Sequence, residues 1–87
     1  MEYTLKFSRQ ARKDLKKVER NFLKETVIAI LSVLKRNPWQ NPPPYEQLSG
    51  NLEGYFSRRI NIQHRLVYQI FEEAKRVKII RMWSHYE

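Results

Sequence analysis

Four side chains in this sequence have the chemical types needed for acid–base catalysis at a phosphate group. Glu46, a carboxylate in a proline-rich segment, could take a proton from a hydroxyl group. Arg59 and Arg65 carry guanidinium groups, which bind phosphate oxygens in pairs and stabilise negative charge that develops on them. His85 could donate a proton to a leaving oxygen, because imidazole titrates near neutral pH. Together these types fit cleavage of RNA, without a metal ion, by a ribose 2′-hydroxyl that attacks the neighbouring phosphate.

Each candidate also has an interpretation without chemistry. Glu46 could be a solvated surface carboxylate, which is the commonest state of glutamate. The two arginines could lie at a solvated sheet edge or form ion pairs with Glu72 or Glu73. His85 could be a frayed residue near the end of the sequence, and so could Tyr86, which otherwise could stack on a base or orient the phosphate. The residue types alone leave both interpretations open.

The first third of the sequence predicts a strand and two helices. Tyr3, Leu5 and Phe7 alternate with polar residues, which is typical of a half-buried strand, and Ser8 can cap a following helix. That helix has an apolar side, formed by Ala11, Leu15, Val18 and Phe22. Its opposite side is basic and is formed by Arg9, Arg12, Lys13, Lys16 and Arg20. A second helix is predicted from Phe22 to Lys35, with Asn21 as its cap and Asn37-Pro38 ending it.

The remaining residues predict a loop and three antiparallel strands. All four prolines and both glycines lie between residues 38 and 54, which marks a loop. Tyr55 to Ile62, Arg65 to Glu72 and Val77 to Trp83 are rich in β-branched and aromatic residues and are predicted as strands, the last of them interior to the sheet. The predicted fold is therefore α+β, in the order β-α-α-β-β-β, with a helical hairpin packed on a twisted, mainly antiparallel sheet.

Hydrophobic matching also predicts which side chains share a sheet face. If the turn between the first two of these strands has an odd number of residues, their apolar residues form one face: Phe56, Ile60, Leu66, Tyr68 and Ile70. Ser57, Arg59, Arg65 and Gln69 then lie together on the other face. His64 lies at the predicted turn and is assigned no catalytic role.

Composition limits the class of protein and its partners. A chain of 87 residues is expected to form one domain, spanning residues 1–87. Its 17 Lys and Arg residues against 9 Asp and Glu residues give a net charge of +8, which favours a polyanionic partner, nucleic acid first. The sequence has no cysteine and no long apolar segment, so we expect a soluble cytoplasmic protein that does not span a membrane. No phosphate-loop, dinucleotide or metal-ligand motif is present, and we expect no cofactor and no metal.

The sequence resembles the YoeB/Txe branch of the RelE/ParE toxin superfamily. The resemblance is carried by Gly54-Tyr55-Phe56-Ser57-Arg58-Arg59-Ile60, by His64-Arg65-Leu66-Val67-Tyr68 and by His85-Tyr86. The preceding NPWQNPPPYEQL is similar to the family's proline-containing loop and places Glu46 at its catalytic glutamate. FSRQARKDLKKV is similar to the first strand and helix of the wider superfamily.

The resemblance implies a RelE-like microbial ribonuclease fold and a toxin that cleaves messenger RNA on the ribosome. It implies Glu46 as general base, Arg65 as the group that stabilises the pentacovalent phosphate, and His85 as general acid. Arg59, Ser57 and Tyr86 would bind substrate, and the products would be a 2′,3′-cyclic phosphate, or the 3′-phosphate formed when it opens, and a 5′-hydroxyl. The expected partners are an acidic antitoxin of the YefM/Axe type, the ribosome with its message, and a second copy of the chain in a homodimer.

Two other functions remain open from the sequence. A ParE-like protein shares the fold, inhibits DNA gyrase and hydrolyses nothing, although such relatives generally lack this combination of glutamate, arginines and terminal histidine. A basic RNA-binding module would use Arg59, Arg65 and the basic helix side only to hold phosphates. Loss of cleavage with retained RNA binding in variants of Glu46 or His85 separates the enzyme from both alternatives.

Overall fold

Two helices and five strands form along the chain, and the computed structural model describes residues 2–85, apart from the side chain of His85. The elements are β1 (Thr4–Phe7), α1 (Arg9–Arg20), α2 (Lys24–Arg36), β2 (Glu46–Gln47), β3 (Tyr55–Arg59), β4 (His64–Phe71) and β5 (Arg76–His85). A short 3-10 turn, Gly50–Leu52, lies between β2 and β3. This arrangement confirms the predicted α+β fold, with its helical hairpin followed by antiparallel strands.

The strands form one sheet in the order β1-β5-β4-β3-β2. β1 runs parallel to β5, and the other neighbouring pairs are antiparallel. β5 has a strand on each side, which confirms the interior position predicted from its apolar residues. The predicted loop between residues 38 and 54 is wrong in one place, because Glu46 and Gln47 pair with β3 as the edge strand β2. Two residues are too few to give a recognisable strand pattern.

The register between β3 and β4 decides which residues face the helices. Phe56 lies opposite Tyr68 and Arg59 lies opposite Arg65, as hydrophobic matching predicted. The apolar face joins the helices in one core, whose buried members include Phe56, Leu66, Tyr68, Val18, Val27 and Leu34. Because side chains alternate along a strand, Ser57, Arg59 and Arg65 project from the face away from the helices.

The turn between β3 and β4 is longer than predicted. β3 ends at Arg59 rather than Ile62, and His64 is the first residue of β4 rather than part of the turn. The Asn61 side chain determines this geometry, because its Oδ1 accepts hydrogen bonds from the N–H groups of Gln63 at 2.9 Å and His64 at 2.7 Å. An asparagine that binds backbone N–H groups two and three residues ahead closes the turn locally.

The helical hairpin begins as the sequence predicts, but its turn differs from the prediction. Ser8 caps α1 as predicted, since its Oγ accepts a hydrogen bond from the N–H of Ala11 at 3.0 Å. The second helix begins at Lys24 instead of Phe22, and Asn21 ends α1 instead of capping α2. Phe22 has φ of 60° and is 94% exposed, so it belongs to the turn rather than the apolar face. Over residues 2–85, neither helix is long and apolar enough to cross a membrane.

Asp14 is an unexpected member of the interior face of α1. Leu15, predicted to face the sheet, is partly exposed, whereas the Asp14 carboxylate is buried. It accepts hydrogen bonds from the N–H of Met82 and from Arg81 Nε, both at 2.9 Å, and so fastens α1 to β5. Burial raises the pKa of this carboxyl, but the hydrogen bonds from Met82, Gln10 and Arg81 outweigh burial and leave its pKa below 3.8.

Replacement of Asp14 by Ala should lower the free energy of unfolding at pH 7 by about 1–3 kcal/mol, because the buried N–H of Met82 loses its acceptor. The depressed pKa makes this contribution depend on pH. It is complete above pH 3.8, the ordinary value, and is lost as the pH falls through the lower pKa of the folded protein. Urea unfolding at several pH values measures it. A difference between wild type and Asp14→Ala that stays constant well below pH 3.8 would contradict the prediction.

Candidate active site

Glu46 and Arg65 meet on the sheet face away from the helices. β2 places Glu46 opposite Ser57 in β3, and Ser57 lies opposite Val67 in β4. Arg65 is two residues before Val67 on β4, so its side chain projects from the same face. The Glu46 Oε1 atom lies 2.5 Å from Arg65 Nη2, and Arg65 Nη1 donates to Ser57 Oγ at 3.2 Å. The Arg65 side chain is 16% exposed and that of Glu46 is 62% exposed. The carboxylate is therefore open to solvent while it is held against a mostly buried guanidinium.

Arg59 completes the charged part of this site. It lies directly opposite Arg65 in the β3–β4 pair and is exposed. Pro44, Glu46, Arg59 and Arg65 line one cleft of about 240 Å³. These three charged groups carry a net charge of +1, so one oxygen-rich anion can enter the cleft and be held from two sides. We refer below to this space as the cleft.

The alternative ion pairs with Glu72 do not form. Glu72 instead accepts hydrogen bonds from Lys75, from Trp39 Nε1 at 2.9 Å and from the Tyr3 hydroxyl at 2.7 Å. These bonds lower the pKa of Glu72 to about 2, with Lys75 making the largest contribution. Glu72 thus fastens Trp39, at the start of the proline-rich loop, to the end of β4. It is not the ion-pair partner of Arg65, whose guanidinium contacts Glu46.

The end of β5 lies next to the cleft. Ser84 pairs with Arg65, and the backbone of His85 pairs with His64. The His64 ring is buried and stacks on Trp83, with ring centroids 3.6 Å apart. The side chain of His85 and the whole of Tyr86 lie outside the described part of the chain. The strand pairing therefore brings the His85 backbone close to Arg65, and its predicted role remains a prediction.

Arg58 is a functional candidate that the sequence reasoning missed. It stands between Ser57 and Arg59 in β3 but projects to the opposite face, where it is 1% exposed. The sequence did contain an indication, because strand alternation places this arginine on the apolar face between Phe56 and Ile60. A charged residue at a core position is uncommon unless a partner compensates its charge.

A second group of cations lies on the exposed side of α1. Four of them follow one stripe at helical spacing, Arg9, Arg12, Lys13 and Lys16, and together with Phe7 they line a surface pocket. None of the four forms an ion pair with any residue between 2 and 85. The opposite side of α1 packs on the sheet through Ala11, Asp14 and Val18, so this basic stripe and the cleft lie on opposite sides of the sheet.

The arrangement offers the groups for acid–base chemistry at a phosphate. Glu46 can accept a proton, and Arg65 with Arg59 can bind the oxygens of the same phosphate. Across residues 2–85 there is no cluster of three histidine, aspartate or glutamate side chains that could hold a metal ion. The described site therefore unites Glu46, Arg65, Arg59 and Ser57, four of the six residues predicted from the sequence.

Comparison with known proteins gives a consistent family. Residues 6–86 match the family model described as the YoeB-like toxin of bacterial type II toxin-antitoxin systems. Toxin YoeB of Synechocystis sp. is 40% identical over 58 residues, which are 67% of this chain and 65% of that protein. Toxin YoeB of Streptomyces coelicolor is 35% identical over 57 residues, which are 66% of this chain and 66% of that protein.

Solved structures extend the similarity over almost the whole chain. A YoeB/ParE toxin from Agrobacterium tumefaciens has a TM-score of 0.85 at 28% identity, covering 95% of this chain and 99% of that one. YoeB of Staphylococcus aureus, solved in a heterotetrameric complex with YefM, has a TM-score of 0.80 at 34% identity, covering 99% and 100%. A YoeB dimer from Staphylococcus aureus has a TM-score of 0.80 at 33% identity, covering 99% of this chain and 100% of that one.

Proposed function

Since the chain belongs to the YoeB-like toxin family of bacterial type II toxin-antitoxin systems, we propose that it is an endoribonuclease that cleaves messenger RNA on the ribosome. The observation that carries this proposal is the contact between Glu46 and Arg65, with Arg59 beside them in an open cleft. A general base next to two phosphate-binding groups is what attack by a 2′-hydroxyl requires. Binding of RNA phosphates alone would not require a carboxylate beside the two guanidinium groups.

In the proposed reaction Glu46 removes the proton of the ribose 2′-hydroxyl. The 2′-oxygen then forms a bond to the adjacent phosphorus, and the bond from phosphorus to the 5′-oxygen breaks. Arg65, assisted by Arg59, stabilises the added negative charge on the phosphoryl oxygens, and His85 protonates the departing 5′-oxygen. The products are a 2′,3′-cyclic phosphate, or the 3′-phosphate formed when water opens it, and a 5′-hydroxyl.

The ion pair between Glu46 and Arg65 gives this reaction an order of events. In the free protein Glu46 Oε1 accepts a hydrogen bond from Arg65 Nη2 at 2.5 Å. An incoming phosphate competes for the Nη2 donor of Arg65, and as it binds there it frees the carboxylate oxygen that the guanidinium had held. The ion pair therefore positions Glu46 beside the cleft before RNA binds, and the carboxylate turns from that position to the 2′-hydroxyl.

The ribosome and an antitoxin are the proposed partners. The basic stripe on α1 offers four cations that have no ion-pair partner among residues 2–85, and they can bind ribosomal RNA behind the sheet while the message lies in the cleft. The net charge of +8 also suits an acidic antitoxin, and the S. aureus relative was solved with YefM. By the same comparison we propose that the free toxin forms a homodimer, and that it acts in the cytoplasm, where ribosomes are.

The proposal is tested with purified protein and programmed ribosomes, by mapping new 5′-ends on the message. We expect codon-linked cuts with 5′-hydroxyl ends from the wild type, and their loss when His85 is replaced by Ala with ribosome binding retained. Glu73→Ala, a change at an exposed residue away from the cleft, is the matched control and should cut normally. Absence of cuts by the wild type, together with inhibition of gyrase supercoiling, would establish the ParE-like alternative instead.

A further inference from the structure

The guanidinium group of Arg58 binds three backbone carbonyls of the proline-rich loop. Nη2 donates to the carbonyl oxygens of Pro38 and Gln40, each at 2.9 Å, and Nη1 donates to the carbonyl of Pro43. Nε donates to the Tyr68 hydroxyl at 3.0 Å. Four of the five N–H donors of this arginine are therefore used, three of them on one loop. We call residues 38–45 the proline loop.

The charge of Arg58 is compensated by neutral oxygens. No carboxylate between residues 2 and 85 forms an ion pair with it. Burial raises the pKa of the Tyr68 hydroxyl above its usual 10.0, so that partner is also uncharged at neutral pH. The Tyr45 ring, 4.9 Å from the guanidinium carbon, covers one face of the group. A buried cation held this way depends on the loop carbonyls, and they depend on it.

The loop that Arg58 holds leads directly into Glu46. Tyr45, which covers the guanidinium, is the residue before Glu46, and Pro43 is three residues before it. β2 has only two residues, so its pairing with β3 alone is a weak constraint on the position of Glu46. Arg58 shares β3 with Ser57 and Arg59, so one strand holds the loop on one face and presents cleft residues on the other.

We propose that Arg58 is a positioning residue, which holds the proline loop closed on the sheet and thereby sets Glu46 against Arg65. Without the guanidinium, the buried Pro38 carbonyl and Tyr68 hydroxyl and the partly buried Gln40 and Pro43 carbonyls lose their donor, and the loop must open to hydrate the buried ones. Glu46 then loses its fixed distance to Arg65. The catalytic part of this inference rests on the proposed function, whereas the holding of the loop does not.

The test compares Arg58→Met with the wild type by two measurements that need no RNA. Amide hydrogen exchange should accelerate at least 10-fold in the non-proline residues of 38–48 and remain within about 2-fold in α1 and α2. In ¹⁵N NMR, the side-chain resonances of Arg65 should lose the shift produced by the Glu46 contact. Faster exchange throughout the molecule would assign Arg58 a general stabilising role, and unchanged loop exchange would remove its hold on the loop. Either result overturns the proposal.

Cleavage on programmed ribosomes tests the catalytic consequence. We expect kcat to fall about 100-fold in Arg58→Met with KM changed less than 3-fold, because a base displaced by about 1 Å loses reactivity without losing substrate. Adding Arg58→Met to Glu46→Gln should slow cleavage less than 3-fold further, since Arg58 acts through Glu46. Independent, multiplicative losses in the double variant would overturn the positioning role.

Arg58→Lys covers the case in which Arg58→Met fails to fold. Lysine keeps the positive charge, but its donors leave from one point and cannot reach all three carbonyls. We expect the same confined loop exchange and a kcat loss of about 10-fold; wild-type values of both would overturn the proposal. If the wild type itself cleaves nothing, the proposed function fails, and the exchange and NMR results still decide whether Arg58 holds Glu46 in place.

Discussion

Replacement of Glu46 by Gln is expected to lower kcat for messenger RNA cleavage by about 10²–10⁴-fold, the usual contribution of a general base. Glutamine has nearly the same shape, but its amide cannot take the 2′-hydroxyl proton. Binding to the message should be equal or tighter, because Arg65 no longer has the carboxylate at 2.5 Å that competes with the phosphate. The opposite directions of these two effects distinguish a base from a residue that only maintains the fold.

Single-turnover cleavage and equilibrium binding to programmed ribosomes, measured side by side, check this prediction. Glu73→Gln provides the control for loss of one negative charge, because Glu73 is exposed and lies outside the cleft. Normal cleavage by Glu46→Gln would assign the base to another group. Weaker binding with normal chemistry would show that the carboxylate contributes to RNA contact rather than to proton transfer.

Replacement of Arg65 by Met is expected to reduce kcat by about 10²–10³-fold, the range found when one group that stabilises the developing charge is removed. Arg65 is the more buried partner in the ion pair, and Ser57 holds its other terminal nitrogen, so its guanidinium is oriented before substrate arrives. Arg65→Lys should recover only part of the rate, because an ammonium group is a point charge that cannot bind two oxygens in parallel.

The same cleavage assay checks the arginine prediction, with Arg76→Met as the matched control. Arg76 is also a strand arginine, but it is exposed at the start of β5 and paired in register with β1 and β4 away from the cleft. A larger loss at Arg59 than at Arg65 would reverse the assignment of the two guanidinium groups. Equal, small losses at Arg65 and Arg76 would reduce both to general attraction of RNA.

The sequence predicted those parts of the site that follow from strand alternation. Once Phe56 and Tyr68 were matched on the apolar face, Arg59 and Arg65 had to be neighbours on the other, and the structure confirms this register. The proline-rich segment was recognised as the carrier of Glu46, although not as a strand, because β2 acquires its extended form from pairing with β3 rather than from its own residues.

The partners of the buried charges could not be predicted in the same way. Asp14 can face the interior because Arg81 and the N–H of Met82 satisfy its carboxylate. These partners lie 67 and 68 residues further along the chain, so the sequence around Asp14 does not reveal them. Arg58 is compensated by backbone carbonyls, which every residue possesses, so no sequence pattern identifies its partners. Both depend on tertiary structure that brings distant segments together. The roles of all six predicted site residues, Glu46, Ser57, Arg59, Arg65, His85 and Tyr86, remain predictions.

The parallel pairing of β1 with β5 costs more conformational entropy to form than the pairing of β2, β3 and β4. β2, β3 and β4 connect through short links, so they can associate early from nearby segments. Thr4, in contrast, meets Arg76 only after an interval of about 70 residues closes, which carries a larger entropy cost and delays the contact. We therefore expect the strands that bear Glu46 and Arg65 to assemble before the N-terminal strand docks, and weakening of β1 to slow folding less than it speeds unfolding.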